Sequence, residues 1–298
     1  MCLLNFESHS KQTTLTLIKN NRVNHAHMSL KDHIENHLQL MIDGIYAVLP
    51  QAEPDLETVK NCKIVSHRGE HGGEGIKENT LAAFDRVLQH GIWGIEFDIR
   101  WTADLQPVII HDPDCERVFG ERLTLSQVSL AELQSRVPRI PTLTQVIERY
   151  GGKIHLMAEI KEELFPNPQH QRDCLQKLFS PLTPSKDFHL LALNPDIFSL
   201  VNFVPKNALL PVAKFNIREL SDLAMRENYA GISGQYLLVN NKLVRQHGDV
   251  DQKTGTGFVR SRHCFYRELN RGITWIFTNH AVKLRNFQQI LLKHHNSC

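Results

Sequence analysis

From residue 62 to the end of the chain, short apolar runs alternate with amphipathic segments, and that alternation admits few architectures. Strands are expected at 62–67, 92–99, 107–111, 153–161, 187–193, 208–214, 230–236 and 272–278. Helical patterns lie near 80–90, 129–150 (broken at Pro138 and Pro141), 170–180, 195–204, 216–228, 260–270 and 281–294. A repeated strand-then-helix unit builds a parallel sheet with helices outside it, and eight strands favour closure into a (β/α)8 TIM barrel. Such a barrel takes about 250 residues, so a chain of 298 has room for one barrel and a short extension. The expected division is an N-terminal tail and amphipathic helix over 1–60 and a barrel over 61–298. Residues 1–28 are polar and aperiodic, and Met28 stands directly before a helix start at Ser29. Apolar positions then recur at helical spacing from Ile34 through Leu38, Met41, Ile42 and Ile45 to Leu49, where Pro50 ends the pattern.

Two strands carry charge on one face. In 92–101, Ile95, Phe97, Ile99 and Trp101 share one parity while Glu96, Asp98 and Arg100 share the other. In 153–161, Ile154, Leu156, Ala158 and Ile160 oppose Glu159 and Lys161. If the apolar parity packs under the helices, these charges point into the barrel, where they are costly unless they hold an ion or a ligand.

Composition narrows the partners. A formal net charge of +2, with basic residues scattered along the chain, gives no electrostatic footprint for nucleic acid. No apolar run approaches the roughly 18 residues of a membrane span, and the first residues lack the basic and apolar regions of a secretory signal. The six cysteines form no C-x-x-C pair, so a zinc knuckle or disulfide scaffold is not expected and a reducing cytoplasm is. A small molecule is left as the expected ligand.

Five short motifs fall at or near strand ends: His67-Arg68-Gly69, Glu78-Asn79-Thr80, Glu96-x-Asp98, His111-Asp112 and Glu159-x-Lys161. In a (β/α)8 barrel the C-terminal strand ends form one face, so these residues are expected to meet there. Glu96, Asp98 and Glu159 make an all-oxygen set that suits Mg²⁺ or Ca²⁺ better than zinc. Two histidines can share proton transfers near neutral pH, and Arg68 and Lys161 can hold a phosphate. Each signal has a bland counterpart: a solvated strand face for Glu96 and Asp98, a salt-bridged pair for Glu159 and Lys161, a helix cap for Glu78-Asn79-Thr80.

The order H-R-G, E-N-T, E-x-D, H-D, E-x-K, followed back from Lys161 to Ile64 and joined by Pro141-Thr142-Leu143, resembles the glycerophosphodiester phosphodiesterase family. The resemblance implies His67 and His111 as the catalytic acid/base pair, Arg68 and Lys161 as phosphate contacts, and Glu96, Asp98 and Glu159 as ligands of a divalent metal, Mg²⁺ or Ca²⁺. It further implies attack by the substrate's own glycerol hydroxyl, then opening of a cyclic phosphate by water. The sequence departs from the family pattern at Lys77, where proline is usual, in the longer stretch Glu70–Ile76, near Leu193-Asn194 where Ser-Phe is usual, and at Trp275 with Thr278-Asn279 in place of W-T-x-N. A phospholipid lyase of the sphingomyelinase D type and a catalytically silent phosphodiester-binding barrel remain alternatives. Finally, Leu237 to Val259, with Gly248, Gly255 and Gly257, reads as a long mobile connection that could act as a lid over the site.

Overall fold

The computed structural model describes residues 44–73 and 75–296. The tail over 1–28 and most of the helix expected over 29–49 lie outside these residues, while 44–48 is helical. The first elements that follow are α1 (Leu56–Asn61), β1 (Lys63–His67), α2 (Leu81–Gln89), β2 (Gly94–Trp101) and β3 (Pro107–Ile109). Next come α3 (Glu116–Phe119), α4 (Leu130–Arg136), α5 (Leu143–Tyr150), β4 (His155–Ile160), α6 (Pro168–Phe179), β5 (Phe188–Ala192) and β6 (Leu209–Ala213). The chain ends with α7 (Ile217–Glu227), β7 (Gly231–Gln235), α8 (Asn241–Gly248), β8 (Lys253–Gly257), α9 (Arg262–Asn270), β9 (Trp275–Thr278) and α10 (Ala281–Asn296).

The strands run in the order β1-β9-β8-β7-β6-β5-β4-β2-β3, and β1 also pairs with β2. That extra pairing closes eight parallel strands into a barrel, with β3 hanging antiparallel from the end of β2. The helices start where their sequence provides caps. The Thr80 side chain accepts from the Ala83 backbone N–H, and Thr142 with Gln145 forms a reciprocal capping box at α5.

The strand count was right but its membership was not. The segment 107–111 is a hairpin partner of β2 and no barrel stave, and the eighth stave is Lys253–Gly257, inside the expected mobile connection. The 237–259 lid is therefore overturned: this stretch holds α8 and β8, and β8 pairs with β7 on one side and β9 on the other. Its composition, Lys-Thr-Gly-Thr-Gly, hides it because the barrel interior beside it is already filled. A Cβ on Gly255 would stand 2.8 Å from Ser233 Oγ and 3.0 Å from Phe277 Cε2, and one on Gly231, φ +150°, would stand 1.7 Å from the Lys253 carbonyl oxygen. The expected helix over 195–204 is a short 3-10 helix, Pro195–Val201.

Inside the barrel, Val65, Met157, Leu191, Leu210, Trp275 and Phe277 form an apolar plug. The outward parity, Ile95, Phe97 and Ile99 of β2 among others, packs under the helices in the main core. The plug separates two polar ends. At the N-terminal end, buried His155 and His189 meet, Nε2 to Nδ1 at 2.8 Å, with Trp93 stacked on His155. The Lys186 carbonyl accepts from His155 Nδ1, and a neutral His155 then accepts at Nε2 from His189 Nδ1–H. Burial holds His155 down at about 4, and burial with the neighbouring His155 holds His189 at about 3.

These values carry a stability prediction. A histidine whose folded value is depressed contributes stability in full above its unfolded value of about 6.5, and that stability is lost as pH falls towards the folded value. Urea unfolding is expected to weaken between pH about 6.5 and about 4 by up to roughly 1.4 kcal/mol per pH unit for each histidine. The double variant His155→Phe with His189→Leu should show a flatter profile over that window; an unchanged slope would remove the pair from the acid response.

Candidate active site

The other end of the barrel gathers the motif residues. Inward-facing Glu96 and Asp98 of β2 are both buried, and the register sets Asp98 beside Glu159 of β4 and His67 of β1 beside Glu96. Carboxylate oxygens of Glu96, Asp98 and Glu159 lie within 4.8 Å of one another. Lys161 Nζ reaches Glu159 Oε1 at 2.6 Å and Asp98 Oδ1 at 3.2 Å.

The His67-Arg68-Gly69 corner turns at the end of β1 in a way that few residues allow. Arg68 has φ +57° and Gly69 φ +79°, and a Cβ on Gly69 would come within 2.7 Å of the Ala83 Cβ. The Arg68 backbone N–H donates to Glu96 Oε2 at 3.1 Å, and its guanidinium reaches Glu78 Oε1 at 3.0 Å and Asp98 Oδ2 at 3.4 Å. Asn79, also left-handed at φ +55°, donates from Nδ2 to Asp98 Oδ2 at 2.8 Å. Glu78-Asn79-Thr80 is thus more than a cap: Thr80 caps α2, while Glu78 and Asn79 fix Arg68 and Asp98.

The two histidines are each held through Nδ1. His67 Nδ1 lies 2.7 Å from Asn279 Oδ1, an acceptor, so Nδ1 carries the hydrogen and Nε2 faces Glu96 Oε2 at 3.9 Å. His111 Nδ1 lies 2.7 Å from Asp112 Oδ1, and Asp112 Oδ2 accepts from Arg117, which continues to Glu78. The main chain of His111 is fixed in turn, its carbonyl accepting from Arg100 Nε at 2.6 Å, while Arg100 pairs with Glu163.

Charge is unevenly shared in this cluster. Burial, then the neighbouring Asp98 and Glu159 carboxylates, raise the Glu96 carboxyl well above its usual range. Burial acts the same way on Asp98, but Lys161 and Arg68 outweigh it and hold that group below the usual range. His67 is lowered to about 4, first by burial and then by the Arg68 charge, so its ring is neutral at pH 7. The donor set is all oxygen and buried, and burial with like charge disfavours ionisation of one member, Glu96, in the chain alone. That fits a hard divalent cation.

All seven residues singled out from sequence, His67, Arg68, Glu96, Asp98, His111, Glu159 and Lys161, belong to this one network. Sequence reasoning passed over Asn279 as a partner of His67, and Arg117 and Glu163 altogether. Asn279 was visible only as part of a partial late motif. Arg117 and Glu163 act through other side chains and have no spacing signal.

The sequence profile of the glycerophosphoryl diester phosphodiesterase family matches residues 67–247. A glycerophosphodiester phosphodiesterase of Caldanaerobacter subterraneus is 33% identical over 117 residues, which cover 35% of this chain and 47% of that one. The chain thus spans less than half the length of such relatives in the sequence match. Solved structures match further. A glycerophosphodiester phosphodiesterase from Parabacteroides distasonis superposes with a TM-score of 0.63 at 21% identity, covering 79% of this chain and 98% of that chain. An Oleispira antarctica phosphodiesterase, solved with the product sn-glycerol-3-phosphate, superposes with a TM-score of 0.63 at 18% identity, covering 76% and 96%. At these identities the superpositions speak for the barrel fold, and the profile, which spans more than half of the chain and takes in all seven site residues, shows that it belongs to the glycerophosphoryl diester phosphodiesterase family.

Proposed function

We propose that the chain hydrolyses a glycerophosphodiester to glycerol phosphate and an alcohol, with a divalent cation, Mg²⁺ or Ca²⁺, held by Glu96, Asp98 and Glu159. The observation that carries this reading is the convergence of three buried carboxylates with two Nδ1-tethered histidines at one end of the barrel. When bound, the cation would draw charge from the phosphate oxygens and so favour attack on phosphorus. The rest of the chemistry falls to the chain. Arg68 and Lys161 offer positive charge to the phosphate, and their carboxylate partners keep both in place.

His67 is the proton acceptor in this reading. Its Nδ1 is committed to Asn279, and burial with the Arg68 charge keeps Nε2 unprotonated at pH 7. In the first step Nε2 takes the proton of the attacking hydroxyl, the substrate's own glycerol hydroxyl. His111, oriented by Asp112, returns a proton to the departing alkoxide through Nε2. In the second step the roles reverse, so both rings regain their starting state.

The domain division at residue 60 and a cytoplasmic setting belong to the same proposal. The buried Cys62 and Cys115 and the half-buried Cys174 carry free thiols, which suits a reducing compartment. No helix among the described residues is long and apolar enough to cross a membrane. The test is ³¹P NMR of the products from a panel of glycerophosphodiesters. A phosphomonoester supports hydrolysis; a persistent cyclic ester assigns a lyase of the sphingomyelinase D type, and no reaction assigns a silent barrel.

A further inference from the structure

The βα connections around the catalytic mouth divide into two unlike halves. After β6, β7 and β8 the chain exposes Phe215, Leu237 and Phe258, at 67%, 37% and 41%. Each lies one or two residues beyond its strand, and the three strands are neighbours in the barrel. Connections that leave the C-terminal strand ends share one face, so these three apolar side chains crown one arc of the mouth. Phe258 marks its inner edge: it holds φ +72° and sets its ring edge-on to His67 at 5.8 Å between centroids.

The same arc is basic. Over 214–219, 236–242, 258–263 and 279–283 the chain places Lys214, Arg218, Lys242, Arg262 and Lys283 at exposed positions, and the only acidic residue in these stretches is Glu219. The opposite arc, after β2 to β5, is mixed: it carries Asp112, Asp114, Glu116, Glu162, Glu163 and Asp196, with Arg117 paired to Asp112 and Arg122 to Glu116. Exposed apolar side chains set among lysine and arginine match the two attractions an anionic bilayer offers: apolar contact at the acyl boundary and charge at the headgroups.

We propose that the β6–β9 arc of the catalytic mouth docks on the surface of an anionic phospholipid bilayer. Phe215, Leu237 and Phe258 enter the headgroup layer, and the surrounding cations meet lipid phosphates and carboxylates. Docked in this way the mouth faces the lipid, so an amphiphilic glycerophosphodiester can reach the carboxylates without crossing bulk water. This last consequence rests on the phosphodiesterase reading, whereas the docking itself does not.

The test is co-sedimentation of the full chain with vesicles of phosphatidylcholine alone and of phosphatidylcholine and phosphatidylserine in equal parts. Sedimentation is expected with the mixed vesicles and not with phosphatidylcholine alone, and it should fall as salt is raised. The double variant Lys242→Glu with Arg262→Glu should lower partition by about fivefold or more for each charge lost. Leu237→Ser should lower it by roughly tenfold. Because Lys242 and Arg262 are exposed, the charge variant keeps the test usable if the serine variant is poorly folded. Turnover of a water-soluble glycerophosphodiester should be unchanged in the charge variant. Equal binding to both vesicles, no binding to either, or wild-type binding by the folded charge variant would overturn the proposal. Vesicle binding is read without turnover, so its failure and a failure of the phosphodiesterase reading are separate results.

Discussion

Alanine at His111 is expected to lower the turnover of a glycerophosphodiester by about 10² to 10⁴, with little change in the urea midpoint. The ring is about a third exposed, and its one side-chain hydrogen bond among the described residues is to Asp112. Asp112 keeps its ion pair with Arg117 after the ring is removed, so no buried charge is stranded. The loss should therefore fall on kcat. His67→Ala is expected to match it in rate but to disturb the fold more, because the ring is largely buried and leaves Asn279 without its partner. Asn279→Ala keeps the base and removes its tether, so its loss should be smaller than either. Initial rates set beside unfolding curves check all three; a folded His111→Ala protein with wild-type turnover would end the paired-histidine assignment.

Exhaustive chelation is expected to abolish turnover, and Mg²⁺ or Ca²⁺ to restore it. Glu96→Gln should prevent that restoration, because the amide keeps the shape of the carboxylate and loses its charge. A second readout needs no substrate. Burial and two neighbouring carboxylates disfavour the charged form of Glu96 in the folded chain, so a cation that pairs with it should raise the melting temperature of the wild type. By the same reasoning the metal-free Glu96→Gln chain should melt no lower than the metal-free wild type, since it sheds like-charge repulsion. Full activity after chelation, or a cation-induced rise in melting temperature that persists in Glu96→Gln, would contradict the carboxylate site.

Alternation along the chain was sufficient for the barrel, since a strand buried on both faces still shows its apolar parity when its inward residues are charged, as in Glu96-Phe97-Asp98. It failed at Lys253–Gly257, where the strand has no apolar residue and is small because Trp275 and Phe277 already occupy the interior. A stave defined by what its neighbours leave free has no signal of its own. Hairpin 107–109 failed the other way: Pro-Val-Ile looks like a stave and is buried, but its partner is the far end of β2. At the candidate site, the seven residues that the barrel brings together lie in short motifs and were legible. The residues that orient them were not: Asn279, 212 positions beyond His67, is set by the barrel's closure, and Arg117, five positions beyond Asp112, by the local turn into α3, which has no spacing signal.

Closure also dictates when the site comes into being. Strand β1 is completed on one side by β2 and on the other by β9, and the tether of His67 comes from the residue just after β9. As the chain leaves the ribosome, His67 emerges early and Asn279 only after nearly the whole barrel has been made. Bringing such distant segments together is the slow, entropically unfavourable part of forming a fold of this kind. A chain that had assembled β1 to β8 without β9 would hold its carboxylates beside an imidazole that lacks its Asn279 tether. Regained activity, followed in a refolding experiment, is a clock for the docking of the last strand.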